Sequence, residues 1–329
     1  NIDRFATQGV RFTDAHTPST VCTPTRYGVL TGRYPFRSWL KRGVLMGFSP
    51  PLIEADRLTL PGMLKRQGYR TMAVGKWHLG MTFTRKDGQP IEPPSIGPSK
   101  GELIDFTVPI KDGPTTRGFD TFYGCSACPT TDWLYAYIDN DRTVGLPTEQ
   151  WPGTPGGIKH EYRGSRRGVK TPDFDFATVD LHLAEKSIAL IESHVKESPD
   201  QPFFLYHATQ APHLPAWPHE RFVDKSEAGK LGDFVHQLDW VVGQIVGTVD
   251  RLGIADNTLI IFTSDNGPEI CAYPIKQQHG HDASRPLRGA VDGLGTGRAL
   301  LRRVGRRVVG TRSARRGYEP IAPMFDGLC

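Results

Sequence analysis

Apolar residues recur along the first 290 positions with two different periods. A helical period predicts helices near residues 176–198 and 234–252, with the apolar faces Leu181, Ala184, Ile188 and Ile191 in the first, and Phe234, Leu238, Val241, Ile245 and Leu252 in the second. Alternating or continuous apolar runs predict strands at 10–15, 69–74, 202–206 and 258–264, and a short helix at 58–67 is predicted to end at Gly68. Because helices and strands alternate, we expect an α/β fold with a mixed, largely parallel sheet and helices on both faces.

The apolar pattern loosens between residues 81 and 172, where Pro, Gly and Asp are frequent. We expect elaborate surface loops there, of the kind that often determine substrate selectivity. Three aromatic residues of this segment, Trp133, Tyr135 and Tyr137, leave two interpretations open. They could line a sugar-binding site, but aromatic residues at alternate positions more often mark a packed strand.

The formal net charge of +5 is confined to the end of the chain. Residues 291–329 hold eight Arg and three acidic residues; of the 40 basic and 35 acidic residues of the whole chain, this leaves 32 of each in the first 290 positions. Because the body is neutral and the tail has no interleaved aromatic residues, no nucleic acid partner is expected. No run of about 18 apolar residues is present, so no membrane span is predicted.

Chemically capable side chains follow three of the predicted strands. Lys76 and His78 come after the strand at 69–74, His213 comes after the strand at 202–206, and Asp265 and Asn266 come after the strand at 258–264. In open α/β sheets, ligand sites lie beyond the carboxyl ends of the strands. A convergent active site is therefore predicted, although each cluster alone would more often be a turn, a surface loop or a packed histidine.

The segment around Cys22 predicts a helix that starts next to the cysteine, with Pro24 in its first turn and Gly32 at its end. A thiol at such a position could be a nucleophile, a metal ligand or a residue that is chemically converted. Elsewhere in the chain, Cys125 and Cys128 could form a disulfide, a redox pair or half of a zinc site. Without a second Cys/His pair at zinc-finger spacing, a structural or incidental pair is favoured.

Four segments together resemble the type I sulfatases, which are arylsulfatase-like enzymes of the alkaline-phosphatase-like superfamily. The sequence CTPTR at 22–26, followed by LTGR at 30–33, resembles the family signature Cys-x-Pro-x-Arg with its Leu-Thr-Gly-Arg extension. GKWHLG at 75–80, APH at 211–213 and SDNG at 264–267 resemble the second, third and fourth family motifs. The resemblance covers residues 1–290 and implies the alkaline-phosphatase-like fold.

The resemblance implies hydrolysis of sulfate esters. In that family a maturation enzyme oxidises the cysteine, here Cys22, to formylglycine, an aldehyde whose hydrate attacks sulfur and expels the alcohol. The resulting sulfate hemiacetal collapses to the aldehyde and releases sulfate. The positive end of the helix beneath residue 22 would favour the negative charge that develops there. A sulfated small molecule or a sulfated polysaccharide is the expected substrate.

The resemblance also implies a divalent cation. Asp265 and Asn266, together with residue 22 as formylglycine, would bind Ca²⁺ or Mg²⁺ through hard oxygen ligands. Arg26, one turn into the helix, would steady the hydrate.

Three further side chains receive roles by their motif positions. Lys76 would neutralise a sulfate oxygen, and His78 would contact the hydrate and assist its collapse. His213 would protonate or orient the leaving oxygen. By contrast, His207 stands at no motif position and is expected to be structural.

Two departures from the family pattern bear on the activity of this chain. The Asp pair of the family's metal site would precede residue 1, and Val291 stands where the family has a lysine. From residue 291 onward, the Val-, Gly-, Leu- and Arg-rich composition is that of GC-rich codons read out of frame, so a frameshift is favoured over a genuine basic tail. We therefore expect a catalytic domain over 1–290, truncated at both ends, and a tail over 291–329 that is not a domain. The chain itself is expected to be nearly inactive.

Two alternative functions stay open at this point. A phosphonate or phosphate ester hydrolase could use the same scaffold, because both chemistries transfer a tetrahedral anionic group. The chain could also be an inactive fragment whose basic tail binds polyanions. For the parent enzyme, the resemblance implies a periplasmic, extracellular or lysosome-like location, which this chain's own sequence does not indicate.

Overall fold

The computed structural model describes residues 1–91, 98–154, 164–269, 272–283 and 299–302. Within them lie six α-helices: α1 (Ile2–Thr7), α2 (Cys22–Thr31), α3 (Leu60–Arg66), α4 (Val179–Glu197), α5 (Gly229–Arg251) and α6 (Ala272–His279). Short 3-10 helices occupy Pro35–Arg37, Pro98–Leu103, Pro114–Arg117, Glu220–Phe222 and Ala255–Asn257. No helix in these ranges is long and apolar enough to cross a membrane.

The strands of the described residues form three sheets. They are β1 (Val10–Arg11), β2 (Arg70–Lys76), β3 (Thr121–Cys125), β4 (Leu134–Tyr135), β5 (Ile138–Asp139), β6 (Arg142–Thr143), β7 (Glu149–Trp151), β8 (Gly168–Lys170), β9 (Phe203–Ala208), β10 (Ile260–Thr263) and β11 (Ala299–Arg302). The central sheet has the order β6-β5-β3-β2-β9, and the two small sheets have the orders β4-β8-β7 and β1-β11-β10. In the central sheet β2 is parallel to β3 and β9, while β5 is antiparallel to β3 and β6. The predicted mixed sheet is confirmed.

The side chains of successive residues in β2 point to opposite faces of the central sheet, and both faces are buried. Ala73 belongs to a hydrophobic cluster that includes Tyr27 and Leu30 of α2. The next residue, Val74, belongs to a second cluster that includes Leu183 of α4. Helices therefore cover both faces, as predicted, and a strand buried on both sides reads as a continuous apolar run.

The segment at 81–172 is more ordered than its sequence predicted. It contains β3, which lies in the middle of the central sheet, and its residues Phe122 and Tyr123 are buried. Because both faces of β3 are covered, its short sequence lacks the polar alternation that identifies a strand. Tyr135 is fully buried, and its ring lies 5.0 Å from that of Phe176, so this aromatic cluster packs the core rather than lining an open sugar site.

The small sheet β1-β11-β10 changes the bounds of one predicted strand and includes residues of the predicted tail, 291–329. The strand predicted at 10–15 shortens to β1, because the chain bends where the ring Nε2 of His16 lies 2.6 Å from Asp14 Oδ1. Strand β11 of the tail pairs with both β1 and β10. Val291 and most of the remaining tail lie outside the described residues, so the frameshift and the domain boundary stay predictions.

Candidate active site

Helix α2 fixes Cys22 as its first residue, at the positive end of the helix. The helix ends at Gly32, whose φ of 65° is the left-handed conformation that glycine adopts without steric cost. At the other end, the Thr23 hydroxyl donates to the carbonyl of His78 at 3.0 Å and accepts from the amide of Leu45. This side chain connects the start of α2 to the segment that follows β2, so Cys22 and His78 are held in fixed positions relative to each other.

Strand β2 and the residues directly after it bring Lys76 and His78 close to Cys22. Lys76 is the last residue of the strand and is buried. His78 has a φ of 58°, which is uncommon for a residue with a side chain and is often found where a functional site imposes it. Its Nε2 lies 2.7 Å from the Leu45 carbonyl oxygen, which only accepts, so Nε2 donates this hydrogen bond and Nδ1 faces the site.

His213 enters from the loop after β9. Its Nδ1 lies 2.6 Å from the carbonyl oxygen of Leu214, so Nδ1 donates and Nε2 is turned into the site. The loop is held by the buried carboxylate of Asp180 on α4, which accepts from the amides of Gln210 and Ala211 at 2.7 and 3.0 Å. Burial raises the pKa of Asp180 to about 6, although these hydrogen bonds oppose the shift.

Cys128 lies at the centre of the site. The sequence analysis did not include this residue among the site residues. Its Sγ is 3.5 Å from Nε2 of His213 and 3.8 Å from Nδ1 of His78, and it is hydrogen-bonded to Cys22. The described cysteines Cys22, Cys125 and Cys128 are free. Cys125 and Cys128 are therefore not joined by a disulfide, and the interpretation as a structural or incidental pair did not anticipate that Cys128 lies beside His78 and His213. Cys128 lies three residues beyond the end of β3, a strand that was not predicted, so its position gave no signal in the sequence.

Cys22, Cys128 and Lys76 shift one another's pKa values. The hydrogen bond from Cys128 and then the charge of Lys76 lower the pKa of Cys22 well below its ordinary value, against the effect of burial. Burial and the bond to Cys22 raise the pKa of Cys128. Burial alone would lower the pKa of Lys76, but the neighbouring Cys128 and Cys22 raise it above its ordinary value. These shifts favour the negative form of residue 22 and the positive form of Lys76.

Arg26 connects this thiol region to the predicted cation ligands. Its Nε and Nη2 donate to Oδ2 of Asp265 at 3.2 and 3.1 Å, and its Nη1 donates to the carbonyl of Lys76 at 2.7 Å. The guanidinium is therefore directed at Asp265 and the end of β2, whereas the sequence placed it on the hydrate. It holds the Asp265 carboxylate on the side of the site where β10 ends.

The hydrogen bonding of the Asn266 side chain shows whether the predicted cation ligands fit a metal ion. Its Oδ1 is buried and has no hydrogen-bond partner among the described residues, while its Nδ2 donates to the carbonyl of Gly267 at 2.9 Å. An unsatisfied buried amide oxygen beside a carboxylate is a donor set that suits a hard divalent cation. Asp265 and Asn266 therefore fit such an ion.

Other described residues complete the surroundings. Glu269 Oε1 lies 3.5 Å from Nε2 of His213, and Asp132 Oδ2 accepts from the amide of Cys128 at 2.9 Å. Both acids were missed because nothing in their local sequence distinguishes them. His207, expected to be structural, lies with its Nδ1 2.7 Å from Ser187 Oγ of α4. Burial lowers the pKa of His207 to about 4, so it is neutral near pH 7.

A cavity of about 1740 Å³ gives access to the site. Its lining includes Arg26, Lys76, His213, Asp265 and Asn266, and it continues between β9 and α5. Five of the residues that the sequence singled out thus line one opening to the outside, while Cys22 and His78 do not belong to its lining. This arrangement can bind a tetrahedral anion between a buried ammonium, a helix N-terminus and imidazole groups.

Several known proteins are similar to this chain. The N-acetylgalactosamine-6-O-sulfatase of Bacteroides thetaiotaomicron is 35% identical over an alignment of 307 residues, which covers 82% of this chain and 54% of that protein. Human arylsulfatase A is 30% identical over 279 residues, which cover 82% of this chain and 47% of that protein. The chain thus spans about half the length of the curated relatives it matches.

Solved structures agree with this relationship. A Bacteroides thetaiotaomicron structure from work on the metabolism of multiple glycosaminoglycans has a TM-score of 0.71 and 30% identity, and covers 92% of this chain and 66% of its own. The PsFucS1 sulfatase from Pseudoalteromonas sp. has a TM-score of 0.64 at 23% identity, covers 92% of this chain and 56% of its own, and supports the fold alone. The family model described as Sulfatase matches residues 1–287. The chain therefore belongs to the sulfatase family.

Proposed function

We propose that this chain carries the catalytic site of a sulfuric ester hydrolase whose nucleophile derives from Cys22. The observation that carries the proposal is the convergence of Lys76, His78 and His213 on Cys22 at the N-terminus of α2. The converted side chain, formylglycine, would supply a hydrated aldehyde as the nucleophile. A thiol is a poorer final group for this purpose, because a sulfated thiol has no second hydroxyl with which to expel the sulfate.

Lys76 and the end of α2 would bind the sulfate. The Lys76 ammonium is buried beside residue 22, and in a site that excludes water a charge of this kind acts strongly on a neighbouring anion. The α2 N-terminus would contribute the positive end of the helix dipole and the backbone amides of Cys22 and Thr23. Together they would offset the charge that collects on the sulfate oxygens as the ester bond breaks.

His213 would serve as the general acid for the leaving alcohol. Its Nδ1 is committed to Leu214, so only Nε2 can carry a transferable proton into the site. Glu269 Oε1, at 3.5 Å, would stabilise that proton. His78 has the opposite arrangement: its Nδ1 faces the site and can accept a proton from the group at residue 22.

Asp265 and Asn266 would hold a divalent cation, Ca²⁺ or Mg²⁺, together with the converted residue 22. Bound there, such an ion would polarise a sulfate oxygen as a Lewis acid. The unsatisfied Oδ1 of Asn266 and the carboxylate of Asp265 support this assignment. Arg26 would keep that carboxylate oriented by its two hydrogen bonds.

The natural substrate is proposed to be a sulfated sugar. The Bacteroides thetaiotaomicron relative is named for N-acetylgalactosamine-6-O-sulfate chemistry, and rat, mouse and human relatives carry the corresponding name. The large cavity beside Lys76 and His213 has room for such a sugar. A 6-sulfated N-acetylgalactosamine is therefore the first substrate to test.

The test uses the complete gene product, expressed together with a formylglycine-generating enzyme. Release of inorganic sulfate is measured from 6-sulfated N-acetylgalactosamine and from an aryl sulfate, and release of phosphate or phosphonate from matched esters. We expect sulfate release that disappears in Cys22→Ala, with slower turnover of the phosphorus esters. Faster turnover of a phosphate or phosphonate ester would assign the site to the alternative chemistry.

A further inference from the structure

The unconverted chain brings two thiols and an imidazole together, and one of these residues, Cys128, has no role in the proposed sulfatase reaction. We name this group the thiol cluster and define it as Cys22, Cys128 and His213. One ligand atom from each residue, the two Sγ atoms and a ring nitrogen, all lie within 4.8 Å of one another. Both sulfurs belong to buried residues, and His213 is partly buried. The cluster comes from three separate segments of the chain, at the end of β3, the start of α2 and the loop after β9.

One separation in the thiol cluster matches that expected around a tetrahedral zinc ion. With Zn–S and Zn–N bonds of about 2.3 and 2.05 Å, a sulfur and a nitrogen on one ion lie about 3.6 Å apart. Sγ of Cys128 and Nε2 of His213 are 3.5 Å apart. The remaining ligand, Cys22, stands within the same 4.8 Å limit, so the three atoms can surround one ion after small side-chain rotations.

The orientation of His213 also suits metal binding. Metal-binding histidines usually donate their second ring N–H to a carbonyl or carboxylate, which fixes the tautomer. Here Nδ1 is 2.6 Å from the Leu214 carbonyl oxygen, which leaves the lone pair of Nε2 directed at the sulfurs. The same sulfur of Cys128 is 3.8 Å from Nδ1 of His78, whose other nitrogen is likewise held by a carbonyl. His78 could therefore act as a fourth ligand after a modest shift.

We infer that the unconverted chain binds one thiophilic divalent ion, such as Zn²⁺, through the Sγ atoms of Cys22 and Cys128 and Nε2 of His213. This site is distinct in chemistry from the proposed hard-cation site, which uses the oxygen atoms of Asp265 and Asn266. It exists only while residue 22 is a thiol, because conversion replaces one of its two sulfur ligands with oxygen. Zinc binding would then distinguish chains that escaped maturation, and would shield Cys22 from reaction.

The experiment uses chain produced without a maturation enzyme and reduced before use, with Cys271→Ser and Cys329→Ser as background substitutions. Zn²⁺ affinity is measured by competition with a chromophoric chelator, and Co²⁺ is added in parallel to record thiolate-to-metal charge-transfer absorption. We expect one equivalent of ion and a charge-transfer band. Cys128→Ser should weaken Zn²⁺ binding by about tenfold or more and reduce the band, as should Cys22→Ser.

Cys125→Ser is the matched control, because Cys125 is also buried and free but lies outside the thiol cluster. It should bind Zn²⁺ like the background protein. X-ray absorption of the zinc-loaded background protein makes the test independent of variant folding and should show two sulfur neighbours at about 2.3 Å. Absence of sulfur neighbours, or equal affinity in Cys128→Ser and Cys125→Ser, would overturn the inference. Since the protein tested is unconverted, these outcomes do not depend on whether the proposed sulfatase reaction is correct.

Discussion

Arg26 and Asp265 form a two-point contact in which Nε and Nη2 of the guanidinium both donate to Oδ2 of the carboxylate, at 3.2 and 3.1 Å. The same guanidinium donates from Nη1 to the carbonyl of Lys76. One buried side chain thus connects helix α2, strand β2 and the loop after β10. A lysine can keep the charge, but it cannot make these three directed bonds at once.

We therefore expect Arg26→Lys to weaken the proposed cation site and the fold together. Loss of directed hydrogen bonds to a charged partner should lower the free energy of unfolding by about 1.5–3 kcal/mol, and the thermal stabilisation given by Ca²⁺ should shrink. Arg33→Lys on the same segment is the control, since its contact to Glu54 is more exposed. A Ca²⁺-induced melting shift that is unchanged in Arg26→Lys would contradict the positioning role.

The proposed cation ligands make a second prediction. In the complete gene product, Asp265→Ala removes a charged oxygen ligand and should abolish turnover, whereas Asn266→Ala removes a neutral one and should weaken Ca²⁺ or Mg²⁺ affinity. Turnover is measured with the cation near its dissociation constant, where a loss of affinity is most visible. Wild-type turnover in Asp265→Ala under these conditions would show that residues 264–267 form only a turn.

His213 is predicted to matter most for poor leaving groups. If it protonates the departing alcohol, His213→Ala should slow hydrolysis of a sugar sulfate by about 10²–10⁴. An aryl sulfate with an acidic phenol needs little protonation, so its rate should fall much less. Both rates are measured with one enzyme preparation. Misfolding would lower the two rates by the same factor, so their ratio reports only the effect on the chemistry. An equal loss on both substrates would count against the general-acid role.

Asp180 should give the protein a pH-dependent stability. Its pKa is raised to about 6 in the folded state, so between about pH 4 and 6 the folded chain keeps a proton that the unfolded chain releases. The free energy of unfolding should therefore fall by up to about 3 kcal/mol as pH rises through this window, and then level off. Urea unfolding at several pH values measures this.

Asp180→Asn separates that titration from the hydrogen bonds to Gln210 and Ala211. The amide cannot accept both bonds, so stability should fall by about 1–3 kcal/mol near pH 4. The difference in free energy of unfolding between wild type and variant should become smaller as pH rises from 4 to 6, because only the wild type loses the contribution of Asp180 over this range. A difference that stays constant over this range would contradict the shifted pKa.

Gly75 should tolerate no side chain. It has a φ of 109°, and a Cβ there would lie 2.0 Å from the carbonyl oxygen of Ala208 in β9. Gly75→Ala should cost roughly 3 kcal/mol or more in stability, or prevent folding. Gly88→Ala is the control: its φ is also positive, at 71°, but nothing lies within 4 Å, so it should cost about 1–2 kcal/mol. Equal melting temperatures for the two variants would contradict the close β2–β9 approach.

Parts of the site with a local signature could be predicted from the sequence. Lys76 ends β2 and His213 follows β9, and these parallel neighbours have their carboxyl ends at one edge of the central sheet. Asp265 also follows an apolar strand, but that strand, β10, lies in a separate small sheet. The helix from Cys22 to its glycine end was also readable, because capping and turn preferences act over a few residues. Such signals depend on near neighbours, which the sequence displays directly.

Other parts depend on contacts that are distant in sequence. Cys128 approaches Cys22 and His213 only because β3 lies beside β2, and β3 itself escaped prediction since both of its faces are buried. The bond between Arg26 and Asp265 joins residues 239 positions apart. Motif resemblance placed each residue in the site but could not show which partner each one contacts.

The central claim is that residue 22 becomes an aldehyde. The most direct measurement is the mass of the tryptic peptide that contains residue 22, from protein co-expressed with a formylglycine-generating enzyme. The account predicts a peptide about 18 Da lighter than the thiol form, since oxidation replaces sulfur by oxygen and removes two hydrogens. The lighter peptide should react with a hydrazide probe and be absent from Cys22→Ser. An unmodified thiol at residue 22, found where a control sulfatase is fully converted, would contradict the account.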